Sequence, residues 1–360
     1  MRKNLFLTMV LVCVFTQGLV FTSCSSKNDE KTEAPQKEYF TLWNDCEALR
    51  TLKGYVEDVT NPNSKNFIPE EDRIATFDMD GTFVGELYPT YFEYNMLEYR
   101  ALDDPTYKDK APDDVREAAQ NIRDFVRNGK ALPDHFDMIH ARAAAKAYAG
   151  MTLAEFDAYV KAYAATPANG FKGMTYAQSF YKPMLDIFDY LKDNGFTYYV
   201  VSGSDRYLCR SLVESLGIEP NKVIGMDVCI SSNEQGDNVG VDYTMGKDEY
   251  LIRTDSLIIK NLKMNKVRQI TQEIGKMPVL SFGNSSGDCA MHNYCMSNTK
   301  HRTATFMLVA DDDVRDHADL AEGARREAKW REAGYTIISM KNEFKTIYGY
   351  GVEKTDFIFP

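Results

Sequence analysis

Two carboxylates two residues apart, followed at once by a Gly-Thr turn, close a short apolar run: Ile74-Ala75-Thr76-Phe77 leads into Asp78-Met79-Asp80-Gly81-Thr82. A strand that ends this way presents acids at its carboxyl end, the edge where open α/β sheets place their sites. Strict alternation would send Asp78 and Asp80 to one face, whereas the glycine lets the chain turn so that both fan around one point. Such a pair suits phosphoryl transfer, one carboxylate attacking phosphorus while the second handles the proton of the leaving group. The same residues also spell an ordinary Asp-Gly turn with solvated acids.

Three further pieces follow in order, each beside its own apolar run. Tyr198-Tyr199-Val200-Val201 runs into Ser202-Gly203-Ser204-Asp205, a hydroxyl and open amides at a strand-to-helix turn. With the dipole of a helix beginning near Arg206, that turn can cradle a phosphate, although Ser202 taken singly reads equally as a helix cap. Lys266 opens the amphipathic segment Lys266-Val267-Arg268-Gln269-Ile270-Thr271, with Lys263 as a near competitor; the spacing to the next turn favours Lys266. That turn, Gly283-Asn284-Ser285-Ser286-Gly287-Asp288, follows Val279-Leu280-Ser281-Phe282 and carries oxygen ligands suited to a hard cation such as Mg²⁺.

Taken together, the four pieces resemble those of the haloacid dehalogenase superfamily, on its phosphatase branch with a helical cap, similar to acid phosphatases and phosphoserine phosphatases. Trp43-Asn44-Asp45, Pro69-Glu70-Glu71-Asp72-Arg73 and Tyr181-Lys182-Pro183-Met184 share in the likeness, which spans about residues 40 to 350. The resemblance implies that Asp78 is the nucleophile forming an aspartyl-phosphate and that Asp80 is the general acid, then the base. It implies phosphate contacts from Thr82, Ser202, Gly203 and Lys266, with Lys266 also neutralising the nucleophile. It assigns Mg²⁺ to Asp78, Asp80 (through its carbonyl), Asn284 and Asp288. Many relatives carry aspartate where this chain has Asn284, so the implied site has one negative charge fewer. The implied activity is hydrolysis of small phosphorylated metabolites. Phosphoserine or phosphocholine is a narrower alternative, and a catalytically silent protein that binds ligands or partners is another. Dehalogenation fits poorly, because displacement of halide needs no acid at Asp80.

The elements that must position these groups are those of a doubly wound, Rossmann-like parallel sheet with an inserted helical cap. Asp113–Asn128, Phe136–Tyr148 and Thr152–Ala165 read as helices, the last with a capping box from Thr152 and Glu155. The expected division is core 38–85, cap 86–178 and core 179–360, with a hairpin flap of short strands near 223–259. Strands are expected at Ala304–Ala310 and Tyr335–Met340, and a helix near Asp319–Ala333. Tyr88, Tyr91, Phe92, Tyr94 and Tyr99 line the expected cap entrance, either as packing or as faces for a quaternary ammonium. Arg206 reads as a solvated helix-start arginine or as a partner for a substrate carboxylate. His135 and His140 stand five apart on an expected helix and show no zinc spacing.

The amino terminus has Arg2 and Lys3, an apolar run from Leu5 to Phe21 and small residues before Cys24. This resembles a bacterial lipoprotein signal, residues 1–23, with Cys24 lipidated and 24–37 as a flexible tether. The expected location is the cell envelope, periplasmic or outer-membrane-associated, with a lipid anchor as the one membrane contact. Loss of residues 1–23 removes Arg2 and Lys3 and no acid, which moves the formal net charge from −11 to −13. So acidic a chain is a poor nucleic-acid partner, and affinity for phosphate must be local. Beyond Cys13 and Cys24 the five remaining cysteines (Cys46, Cys209, Cys229, Cys289 and Cys295) cannot all pair, and a chain of 360 residues needs no staples.

Overall fold

The strand that carries Asp78 is short, Ile74–Phe77 (β1), and every residue of it is buried. Continuous apolar residues, rather than an alternating pattern, are what a central strand covered on both faces requires. The computed structural model describes residues 37–359, and from Tyr39 onward the chain packs as one unit. The remaining strands are β2 (Phe171–Lys172), β3 (Thr197–Asp205), β4 (Val223–Ser232), β5 (Leu251–Ile259), β6 (Leu280–Gly283), β7 (Ala304–Val309), β8 (Thr336–Ser339) and β9 (Glu353–Lys354). Seven form one sheet in the order β5-β4-β3-β1-β6-β7-β8, while β2 and β9 pair separately. All neighbours in the large sheet are parallel except β4 and β5. The chain therefore builds outward from β1 through β3 and β4, then returns to β1's other side with β6. That reversal makes a topological switch point, and the carboxyl ends of β1, β3 and β6 open there together. This is the doubly wound α/β sheet expected from the sequence.

Helices cover the sheet and also fill the long connection between β1 and β3. Helix α1 (Glu47–Thr60) precedes β1 and buries Leu52, Tyr55, Val56 and Val59 along one stripe. The connection holds α2 (Phe92–Leu102), α3 (Asp113–Asn128), α4 (Phe136–Ala147), α5 (Leu153–Ala164) and α6 (Lys182–Asp193). Thr152 caps α5, and its hydroxyl and Glu155 form the reciprocal capping box. Gly129 ends α3 in the left-handed region that glycine adopts without steric cost. After β3 come α7 (Arg206–Val213), α8 (Met264–Glu273), α9 (Cys289–Met296) and α10 (Leu320–Glu332).

Some expectations change. The segment 223–259 holds two long strands, of 10 and 9 residues, and the first is also part of the main sheet beside β3. His135 lies just outside α4, at a positive φ of 56°, so it shares no helix face with His140. The expected signal, Cys24 and all but the last residue of the tether lie outside the described residues. Within the described residues no helix is long and apolar enough to cross a membrane, and all five cysteines are free.

Candidate active site

Asp78 follows β1 directly, and its N–H donates to the Phe282 carbonyl at 2.9 Å, extending the sheet ladder by one step. Beneath it, Phe77 and Phe282 are register partners whose rings stack at 4.3 Å and 6°, and Phe282 stacks on Phe306 at 4.9 Å. The turn after Asp80 depends on Gly81, at φ 77°, where a Cβ would stand 1.8 Å from the amide nitrogen of Asn284. No other residue fits so close an approach. The N–H groups of Thr82, Phe83 and Val84 all reach the Met79 carbonyl at 3.1 Å and close the loop.

Lys266 lies in the first turn of α8 and is fully buried. It donates to Asp78 Oδ1 at 2.5 Å and to Asp288 Oδ1 at 2.6 Å. Burial pulls its pKa down, but the charges of Asp288 and Asp78 outweigh that and hold it above the ordinary lysine value, so it is a cation. Lys263, by contrast, is exposed at the mouth of the cleft, with φ 53°. The other Asp288 oxygen accepts from the N–H groups of Asn284 and Ser285 and from the Ser285 hydroxyl. Asp288 thus organises its own loop while pairing with Lys266.

Burial, reinforced by Asp288, pushes Asp78 upward, and Lys266 opposes the shift. Thr82 is buried and its hydroxyl donates to Asp78 Oδ2 at 3.2 Å. Asp80 accepts from the Ser204 hydroxyl at 2.8 Å and from Ser202 at 3.4 Å through Oδ2, while Oδ1 is buried without a partner. Burial raises the Asp80 pKa, with the Ser204 bond and Lys260 working against it. A carboxyl shifted in this direction is suited to proton delivery.

Ser202 is wholly buried and also accepts from the N–H of Ser204 at 3.1 Å. From this turn it is Gly203 and Ser204 that line the cleft. The cleft has a volume of about 610 Å³. Asp78, Asp80 and Asp288 form its floor, with Lys260, Lys263, Arg325, Arg326 and Lys329 around it and Tyr91 and Tyr94 on the insertion side. Tyr88 and Phe92 are fully buried as packing. Arg206 neither reaches the cleft nor is solvated: it is locked to Asp227 at 2.6 Å and Glu273 at 2.5 Å. His140 packs against Tyr94 with ring centroids 4.2 Å apart and tilted by 38°, with no hydrogen-bond partner on either ring nitrogen.

Two residues that the motifs alone do not single out belong here. Ser204 holds Asp80. Glu86, at the start of the insertion, accepts from Asn284 Nδ2 at 3.0 Å, and burial pushes its pKa up to about 8. The serine is within sight of the sequence, since it sits in the same turn as Ser202, but Glu86 leaves no local signal.

Four carboxyl groups (Asp78, Asp80, Asp288 and Glu86) thus gather near two buried ammonium groups, Lys266 bonded to Asp78 and Asp288 and Lys260 acting on Asp80. Asp80 Oδ1 and Glu86 Oε2 are both buried and unpartnered. Oxygen donors in surplus negative charge fit a hard divalent cation. Among the described residues no three His, Cys, Asp or Glu side chains form a ready-made cage. A cation here would therefore also draw on the Asn284 amide oxygen, the Asp80 carbonyl and water.

No protein-family model matches this chain, and no curated protein matches it in sequence. Solved structures do. A conserved protein of unknown function from Anaerococcus prevotii DSM 20548 is similar over 87% of this chain and 100% of its own, at 15% identity and a TM-score of 0.51. Cytosolic 5'-nucleotidase IIIB bound to cytidine is similar over 82% of this chain and 85% of its own, at 11% identity and a TM-score of 0.47. A HAD family hydrolase from Salmonella enterica subsp. enterica serovar Typhi is similar over 76% of this chain and 69% of its own, at 15% identity and a TM-score of 0.40. Identities this low speak to fold alone. With β1 central, helices inserted after it and the acid-bearing turns at the carboxyl ends of the strands, this chain has a doubly wound α/β fold with a helical insertion.

Proposed function

We propose that this chain is a Mg²⁺-dependent phosphomonoester hydrolase acting through an aspartyl-phosphate on small phosphorylated metabolites in the cell envelope. The observation that carries the proposal is the pairing of two unlike carboxyls at the end of β1. Asp78 touches a buried ammonium at 2.5 Å, while Asp80, two residues on, accepts instead from the hydroxyls of Ser204 at 2.8 Å and Ser202 at 3.4 Å. One is held for attack and the other for proton delivery.

In the first step an Asp78 oxygen attacks phosphorus and the ester P–O bond breaks. Asp80 gives its proton to the departing oxygen, which leaves as an alcohol. In the second step the Asp80 carboxylate takes a proton from water as that water's oxygen attacks phosphorus. The bond to Asp78 breaks, inorganic phosphate departs and both carboxyls return to their starting states. Lys266 keeps Asp78 oriented and offsets the charge of the phosphoryl oxygens, with Gly203 of the Ser202-Gly203-Ser204 turn on the wall of the same cleft. Asp78, the Asp80 carbonyl and Asn284 would hold Mg²⁺, which when bound adds further positive charge against the phosphoryl group.

The basic groups around the mouth support a substrate with anionic character beyond the reacting phosphate. The test is phosphate release from a panel of small phosphomonoesters, with and without Mg²⁺, by the chain and its Asp78→Asn variant. Mg²⁺-dependent release that disappears in the variant is the expected result. No release from any ester by the unaltered chain overturns the proposal and leaves a binding protein in its place.

A further inference from the structure

Glu86 is spent on no structural task that accounts for its burial. It is 8% exposed, Oε1 has one partner, the Asn284 amide nitrogen at 3.0 Å, and Oε2 is buried with none. A buried carboxylate without a full set of donors or a paired cation is costly, on the order of several kcal/mol in a protein interior. It also stands beside the candidate cation site. A Cβ on Gly81 would lie 1.8 Å from Asn284 Nδ2 and 2.6 Å from Glu86 Oε1, so the motif backbone, the amide and the carboxylate are pressed together.

The amide supplies the logic. An asparagine has one oxygen to offer a cation and one NH₂ group that must be turned away. A carboxylate receiving that NH₂ group fixes which end faces the cation, as partners behind metal ligands commonly do. Ionised beside a bound cation, it would also bring the negative charge that an amide lacks.

We propose that Glu86 and Asn284 act as one unit in which Glu86 orients the Asn284 amide oxygen and supplies the charge for a divalent cation at the Asp78–Asp80 turn. The pair does the work of a single aspartate at position 284. Glu86 is thus a positioning residue, and its role rests on the phosphohydrolase reading of the same site.

The experiment is Mg²⁺ titration by calorimetry, with the Mg²⁺-induced rise in each protein's own Tm as a second readout, on the chain, Glu86→Gln, Asn284→Asp and the double variant. Glu86→Gln is expected to weaken the Mg²⁺ Kd by about 10- to 100-fold, the range for loss of a partner behind a metal ligand. The double variant is expected to regain affinity to within about threefold of the parent, because the carboxylate now sits at 284 and the amide introduced at 86 can donate to it. Unchanged Mg²⁺ affinity in Glu86→Gln overturns the proposal, and so does a double variant as weak as the single. If Glu86→Gln does not fold, Asn284→Asp and the double variant suffice: removing Glu86 should then cost less than about threefold, and a further loss of about tenfold overturns the unit. Failure of the phosphohydrolase reading is distinct, since there the parent itself neither binds Mg²⁺ nor releases phosphate.

Discussion

Two buried ion clusters lie within one strand of each other, and they are built on opposite principles. At the end of β3, Asp205 meets Arg253 of β5 at 2.7 and 3.3 Å, one anion against one cation. The same carboxylate caps α7 through the N–H groups of Tyr207 and Leu208, and the guanidinium lies 3.8 Å over the Phe156 ring. Charge is matched there and both Asp205 oxygens have donors, although Arg253 Nε is buried without a partner. At the end of β1, Lys266 faces Asp78 and Asp288, with Asp80 and Glu86 close by, and buried oxygens go without partners. A matched pair fixes a fold. A mismatched group is tolerated where a ligand completes it, and the excess of carboxyls over cations in the second cluster is what supports the proposed site there.

Substitutions should separate the two. The largest effect is expected from Asp78→Asn, a loss of turnover on the order of 10⁴- to 10⁶-fold, as for other nucleophiles. Its Tm should not fall, because one of several crowded charges has been removed. A Tm drop with activity retained would show that the mismatch is structural after all. Asp80→Asn should lose about 10²- to 10⁴-fold on alkyl phosphates, the usual contribution of a general acid. With an activated aryl phosphate the same variant should release one aryl alcohol per chain and then stall, and intact mass should show one added phosphoryl group.

The matched pair should respond in stability. Arg253→Ala leaves Asp205 buried without its cation and is expected to cost about 3–5 kcal/mol in urea melts. Turnover per folded molecule should stay within a few-fold, and a loss comparable to Asp80→Asn would join the two clusters functionally. A further effect, visible only as pH changes, concerns Asp316, bonded to the N–H of His317 and the Tyr348 hydroxyl, whose pKa burial pushes up to about 7. The folded state keeps that proton to higher pH than the unfolded chain. Stability from this group is full below about pH 4 and lost as pH rises towards 7, by at most about 1.4 kcal/mol per pH unit. Asp316→Asn should flatten that slope in melts from about pH 4 to 7.

How much of this is legible in the chain depends on whether the signal is local. β1, β3 and β6 are apolar runs ending in turns rich in Asp, Ser and Gly, and that change of character marks a strand end wherever it occurs. Capping residues such as Thr152 and Glu155 likewise advertise their helix three residues at a time. Glu86 gives no such sign, because Gly85-Glu86-Leu87 reads as loop and its partner lies at position 284. Arg206 escapes a correct reading for the same reason, its carboxylates being 21 and 67 residues away. The length of β4 and β5 escapes too, because their pairing, not their composition, carries the strands out to Ser232 and Leu251.

The stacked rings of Phe77, Phe282 and Phe306 have a consequence for alignment. A strand buried on both sides has no wet face, so a shift of two residues would leave its hydrophobic pattern unchanged. Shifting β6 by two would put Leu280 or Asn284 opposite Phe77 and break the stack. The three rings therefore act as a vernier between neighbouring strands, and what they align is the height of Asp78 against Asn284 one and two residues above. Tolerances in the chemistry are inherited from a contact that contains no polar atom.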